Sequence, residues 1–126
     1  MNYKIAILGS TGSIGDSTLK TVYKKKRYKI ILLTAKKNIN KLFSQAIKFN
    51  VKDAIIEDKD LFNIFKKKFK DKNIRLHLGI KNINKIIKKK ISYCINSISG
   101  IDGLYPTLKM IPLTKNILIA NKESII

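Results

Sequence analysis

The apolar run Ile5-Ala6-Ile7-Leu8 ends at Gly9, and Gly12 and Gly15 follow at intervals of three. Few folds accommodate that pattern. It reads as a first β-strand, a tight turn that favours glycine, and the opening of a helix. Such a turn gathers backbone N–H groups and the positive end of a helix dipole at one point, the arrangement that holds a pyrophosphate. Gly9 is expected to make the turn, Gly12 to let the backbone approach phosphates, and Gly15 to let the helix sit close to the sheet. Thr11 and Ser13 add hydroxyl donors. The spacing is G-x-x-G-x-x-G rather than the commoner G-x-G-x-x-G. An ordinary strand-to-helix turn is the plain alternative, but the strand before and the helix after favour nucleotide binding.

The rest of the chain repeats the strand-then-helix rhythm. Strands are expected at Lys4–Leu8, Tyr28–Leu33, Asp53–Ile56, Ile74–Leu78, Tyr93–Ile98 and Ile117–Ala120. Helices are expected at Ser13 to about Lys25, Asn38–Phe49, Asp60–Phe69, Lys81–Lys89 and Leu104–Ile111, from apolar residues recurring at helical spacing. Strands alternating with helices of about ten residues predict βαβ units: an α/β, Rossmann-like, doubly wound parallel sheet in one domain spanning residues 1–126. The segment Asn121–Ile126 looks like a strand exit entering a new helix that stops within its first turn, so a truncated chain is expected.

Composition narrows the class further. Cys94 is the one cysteine, so no intrachain disulfide forms, and a reducing compartment is the simplest setting. The first strand begins too early for a signal peptide, and no apolar run approaches the roughly 18 residues a bilayer span needs. A soluble, cytoplasmic protein with no membrane partner is the expectation. The net charge of +19 invites a nucleic-acid reading. Yet only Arg27 and Arg75 among the 27 basic residues are arginine, the residue that nucleic-acid surfaces use for its bidentate fork. Lysine travels here with abundant isoleucine and asparagine, as a biased codon usage dictates, and clusters where helices end. A solvated basic surface is expected, not a nucleic-acid partner.

An NAD-binding fold normally places an acid about twenty residues past the glycines, for the ribose 2′-hydroxyl. Thr34-Ala35-Lys36-Lys37-Asn38 stands there instead. Lysines attract a 2′-phosphate that a carboxylate would repel, so NADPH is favoured over NADH. Asn38 either donates to that phosphate or caps the next helix. Asn121-Lys122-Glu123 follows a strand at the edge where α/β proteins bind ligands: a lysine there suits an anionic substrate, a glutamate a ribose or amide, and a plain helix start is the alternative. His77 lacks nearby partners for a metal site, Cys94 reads as buried packing, and Asn96-Ser97-Ile98-Ser99-Gly100 either borders the cofactor or simply turns.

Taken together, these residues resemble the amino-terminal part of the 1-deoxy-D-xylulose 5-phosphate reductoisomerase family. The motifs are Ala6-Ile7-Leu8-Gly9-Ser10-Thr11-Gly12-Ser13-Ile14-Gly15, Gly103-Leu104-Tyr105-Pro106-Thr107-Leu108 and Leu118-Ile119-Ala120-Asn121-Lys122-Glu123-Ser124. The resemblance implies that Thr11, Gly12, Ser13 and Ile14 contact NADPH, and that Lys37 and Asn38, with Lys36 beside them, hold its 2′-phosphate side. It implies Asn121 and Glu123 near the reactive end of the cofactor and Lys122 on the sugar phosphate substrate. The family's activity is an NADPH-dependent rearrangement and reduction of that substrate to 2-C-methyl-D-erythritol 4-phosphate, in isoprenoid biosynthesis, assisted by divalent Mg or Mn. The metal ligands, the catalytic loop and a carboxy-terminal domain are expected downstream of Ile126, leaving no catalytic or metal residue in this chain, and a homodimer is expected of the full-length enzyme. Two departures stand out. Lys36 replaces a usual glycine, and Ser97-Ile98-Ser99-Gly100-Ile101-Asp102 is more polar than the family's small-residue stretch. An NADP-linked semialdehyde-type reductase and a non-enzymatic basic binding module are the competing readings.

Overall fold

Side chains alternate across a strand, and in β1 (Tyr3–Leu8) both faces are apolar: Ile5 and Ile7 enter one core, Ala6 and Leu8 another. A strand buried on both faces belongs at the centre of a covered parallel sheet. The structure, a computed structural model, describes residues 2–120. Its elements run β1, α1 (Ser13–Tyr23), β2 (Tyr28–Ala35), α2 (Ile39–Lys48), β3 (Asp53–Ile56), α3 (Lys59–Asp71), β4 (Arg75–Leu78), β5 (Ile91–Asn96), α4 (Leu104–Met110) and β6 (Thr114–Ile119). Short 3-10 turns lie at Ile80–Lys85, Gly100–Gly103 and Ile111–Leu113.

All six strands are parallel, in the order β4-β3-β2-β1-β5-β6. The chain winds outward from β1 to β4, then crosses back to β5 on the other side of β1. Outward crossovers lay α1, α2 and α3 over the face of Ile5, Ile7 and Leu33, where Leu19, Leu42 and Phe69 are buried. The return crossover covers the opposite face with Ile80, Ile83 and Ile87, and Met110 of α4, between β5 and β6, joins them. This is the expected Rossmann-like α/β architecture.

Helix ends are written into the sequence. The Asn38 carboxamide oxygen accepts from Lys41 N at 3.3 Å, and the Asp58 carboxylate accepts from Leu61 N at 3.0 Å, each satisfying an otherwise orphaned first-turn donor. Both α2 and α3 end on an asparagine in the left-handed region, Asn50 (φ 54°) and Asn73 (φ 60°). The next amide then bonds back, Val51 N to Ala46 O at 2.9 Å and Ile74 N to Phe69 O at 3.0 Å. That closure drives Val51 and Ile74 into the core as apolar plugs.

One expected helix is corrected. Lys81–Lys89 forms no α-helix; a 3-10 turn covers Ile80–Lys85, with Asn82 off helical geometry (φ −98°, ψ 17°). The Asn82 side chain donates to Leu78 O at 3.4 Å, competing with the backbone ladder. Lys88-Lys89-Lys90 adds like charges at the point where the helix would continue. The inward face was nevertheless legible, since Ile83 and Ile87 are buried. Strand β5 runs two residues earlier than expected, because the Asn96 carboxamide oxygen accepts from Ile98 N at 3.0 Å and turns the chain. Strand β6 starts at Thr114 rather than Ile117; polar Lys115 and Asn116 suit an edge strand.

Candidate functional site

Where strand order reverses, between β1 and β5, the two crossovers leave in opposite directions and open a crevice at the strands' carboxyl ends. A cleft of about 710 Å³ lies there. Its floor is Gly9, Thr11 and Gly12; one wall is Thr34–Lys36, and another is Ser97–Ser99 with Asp102, Tyr105 and Pro106. Its far end is Glu57, Lys59 and Leu78–Lys81.

Each loop glycine has its own geometric reason. Gly9 has φ +70°, and a Cβ there would meet Ile98 Cγ1 at 2.8 Å. At Gly15 a Cβ would lie 2.0 Å from Gly9 O, so α1 packs on the turn itself more closely than any side chain permits. Gly12 differs: its nearest neighbour would be Gly9 O at 3.8 Å, leaving room for a ligand against the backbone. Helix α1 starts at this open glycine without a side-chain cap, the condition in which a bound anion serves its first turn.

A buried polar network fixes the turn. Gly9 N donates to Thr34 Oγ1 at 3.0 Å, and Ser10 N to Thr34 O at 3.0 Å, tying the turn to β2. The Ser10 hydroxyl donates to Gln45 Oε1 at 2.9 Å, while Gln45 Nε2 donates to Ser10 O at 2.8 Å and to Asp16 Oδ1 at 3.0 Å. The Lys20 hydrogen bond, followed by the Gln45 bond, holds Asp16 below the ordinary carboxylate pKa against a raising effect of burial. On the opposite wall, Asn96 Nδ2 donates to Gly103 O at 2.9 Å and Thr107 Oγ1 at 2.6 Å, shaping the loop that closes the cleft beside Gly9. Sequence reading missed Gln45, and named Thr34 and Asn96 only as parts of segments bordering the site. A lone polar residue on an apolar helix face is the one trace Gln45 leaves.

Of the expected site residues, the structure brings Thr11, Gly12 and Lys36 into the cleft. Ser13 and Ile14 open α1 and line a shallower hollow with Ser17, Thr18, Thr21 and Val22. Lys37 and Asn38 follow β2 just outside the cleft lining, and Asn38 takes the capping role. Asn121, Lys122 and Glu123 lie outside the described residues. Lys36 reaches across the cleft mouth, its ammonium 3.4 Å from Asp102 Oδ2, in a pair that is largely exposed and so contributes little. Glu57 accepts from Ile80 N at 3.0 Å and pins the Gly79 turn (φ +78°) at the far end.

His77 and Cys94 lie elsewhere. His77 Nε2 is 2.9 Å from Asp53 Oδ1, and Arg75 grips the same carboxylate with two bonds at 2.8 and 2.7 Å. Burial raises the Asp53 pKa, but the His77 and Arg75 hydrogen bonds outweigh it and the net shift is downward. Cys94 is fully buried in β5, and burial pushes its thiol up to about 12, which removes it as a nucleophile. Among the described residues no three His, Cys, Asp or Glu side chains come together to hold a metal, and no helix is long and apolar enough to cross a membrane.

A parallel sheet that reverses at a glycine turn, with an open cleft at the reversal, defines a dinucleotide-binding α/β domain. The family model for 1-deoxy-D-xylulose 5-phosphate reductoisomerase matches residues 5–126, and the chain belongs to that family. It is 49% identical to the Pelagibacter ubique 1-deoxy-D-xylulose 5-phosphate reductoisomerase, over 98% of this chain and 32% of the relative. The Buchnera aphidicola relative is 43% identical, with the same shares covered. Among solved structures, the Zymomonas mobilis reductoisomerase in complex with NADPH superposes with a TM-score of 0.84 at 32% identity, covering 99% of this chain and 33% of that one. A DOX-P reductoisomerase in complex with NADPH, fosmidomycin and magnesium gives 0.82 at 32% identity, covering 98% and 31%. The chain therefore spans about a third of the length of the relatives it matches.

Proposed function

We propose that this chain is the NADPH-binding part of an enzyme that rearranges and reduces 1-deoxy-D-xylulose 5-phosphate to 2-C-methyl-D-erythritol 4-phosphate. The observation that carries the reading is the open glycine turn at the β1/β5 reversal, facing a cleft of about 710 Å³. Thr11, the Gly12 backbone and the first turn of α1, with Ser13 and Ile14, take the pyrophosphate. Lys36 and Lys37 attract the 2′-phosphate, and the Asn38 amide remains a donor beside it while its oxygen caps α2. NADPH, when bound, supplies the hydride; this chain's residues orient it and keep the turn rigid. By resemblance, Asn121 and Glu123 hold its reactive end and Lys122 contacts the sugar phosphate substrate.

The divalent metal is another matter. The described residues offer no ligand set for it, so no step through a metal is assigned to them. The relatives' length leaves room for a metal-binding region elsewhere in the polypeptide. We place the protein in the cytoplasm, as a homodimer when full length, with no nucleic-acid or membrane partner. The test is a spectroscopic assay of the full chain as its gene encodes it, with NADPH, Mg and 1-deoxy-D-xylulose 5-phosphate. Consumption of NADPH that requires that ketose phosphate supports the reading. Turnover of an acyl phosphate or semialdehyde instead would support the semialdehyde-type alternative.

A further inference from the structure

Six polar residues are buried among those described: Ser10, Thr34, Gln45, Asn96, Ser97 and Thr114. Five have hydrogen-bonded side chains, in the two networks around the cleft or, for Thr114, to Asn116 O. Ser97 is the exception. Its residue is 7% exposed, and its hydroxyl is buried with no partner among the described residues. A buried hydroxyl left unpaired bears its full desolvation cost, and native structures seldom keep one without a use.

The position of Ser97 suggests the use. It is the first residue past β5, its N–H donates to Leu8 O at 2.9 Å, and it lines the cleft beside Gly9, Thr11 and Gly12. Ile98 lies against Gly9 itself. A dinucleotide laid across the reversal has its adenosine half toward β2, where Lys36 stands, and its other half toward β5. Building on the NADPH reading, we infer that the Ser97 hydroxyl donates a hydrogen bond to an oxygen of the nicotinamide mononucleotide half of the cofactor, either its phosphate or its ribose. The bound cofactor satisfies a donor that the described residues leave unmatched, so Ser97 is a cofactor-orienting residue on the wall opposite the 2′-phosphate site.

Two ligands separate this from a structural role. NADPH carries both halves, whereas adenosine 2′,5′-bisphosphate carries the adenosine half and lacks the nicotinamide mononucleotide. In the full chain as its gene encodes it, Ser97→Ala is expected to weaken NADPH about tenfold. The bisphosphate affinity is expected to stay the same, and the ligand-free melting temperature to stay level or rise, because an unmatched polar group is gone. Unchanged NADPH affinity, an equal loss for both ligands, or a fall in ligand-free stability would each overturn the inference. Failure of the unmutated chain to bind NADPH would defeat the functional reading itself; binding without a Ser97 effect defeats this inference alone.

Discussion

The two flanks of β1 are built differently. Toward β4, each crossover is an α-helix of ten residues or more; α2 and α3 are capped by a side chain at the start and closed by an asparagine turn at the end. Toward β6, the crossovers are 3-10 turns and the seven-residue α4. Exposed apolar residues on the first flank, such as Ile47 and Ile64, are scattered. On the second they are more numerous: Ile101, Leu104, Tyr105, Leu108 and Ile111 around α4, and Leu118 and Ile119 on the edge strand β6. Exposed apolar surface and an edge strand are what other protein can cover. The first flank is completed by its own sequence, and the second is shaped mainly by one buried side chain, Asn96. The cleft lies between them and takes its rigidity from the Gln45 network of the first.

The largest effect should come from the junction itself. Gly15→Ala places a methyl group 2.0 Å from a backbone oxygen that cannot move without unseating the turn. It should cost about 3 kcal/mol or more, read by chemical denaturation. Phe69→Ala, in the completed flank, should cost about 3–5 kcal/mol, whereas Leu108→Ala in residues 1–126 should change stability by less than about 0.5 kcal/mol. Equal costs would erase the contrast between flanks. Gln45→Leu leaves Ser10 and Asp16 without their shared partner and should cost about 2 kcal/mol, with weaker NADPH binding as the turn loosens.

The smallest effect concerns acid. Burial raises the Asp53 pKa, but the His77 and Arg75 hydrogen bonds take it below the ordinary carboxylate value in the folded state. Its contribution is therefore complete above that unfolded value and is lost as pH falls through the lower folded value. Asp53→Asn should flatten the acid limb of a stability-against-pH curve by about 1 kcal/mol or less, since Arg75 is mostly exposed and screened. An unchanged acid limb would remove this pair from the account.

How much of this was legible beforehand follows from what sequence patterns encode. All six strands and the apolar faces of the helices show as periodicity, and the glycine turn shows as spacing. The strand order follows from right-handed crossovers only once the reversal is known. Helix Lys81–Lys89 was misread because period-matched isoleucines carry no information about Asn82 bonding back to Leu78. Gln45 escaped, and Thr34 and Ser97 were named only within longer segments, because their roles come from what the fold sets beside them: the same glycine turn, 25 residues away for Thr34 and 35 for Gln45, and the cleft wall for Ser97. Lys36 and Asn38 were legible as residue types, while the pairing of Lys36 with Asp102 across 66 residues was not.

The central claim is that the cleft takes NADPH, with its 2′-phosphate on the lysines that follow β2. Fluorescence titration of NADPH and NADH tests it most directly, in the unmutated chain and in Lys37→Glu. The account predicts NADPH bound at least about tenfold more tightly than NADH, with Lys37→Glu lowering NADPH affinity and leaving NADH nearly unchanged. Equal affinity for the two cofactors in the unmutated chain, or equal losses in the variant, would contradict it.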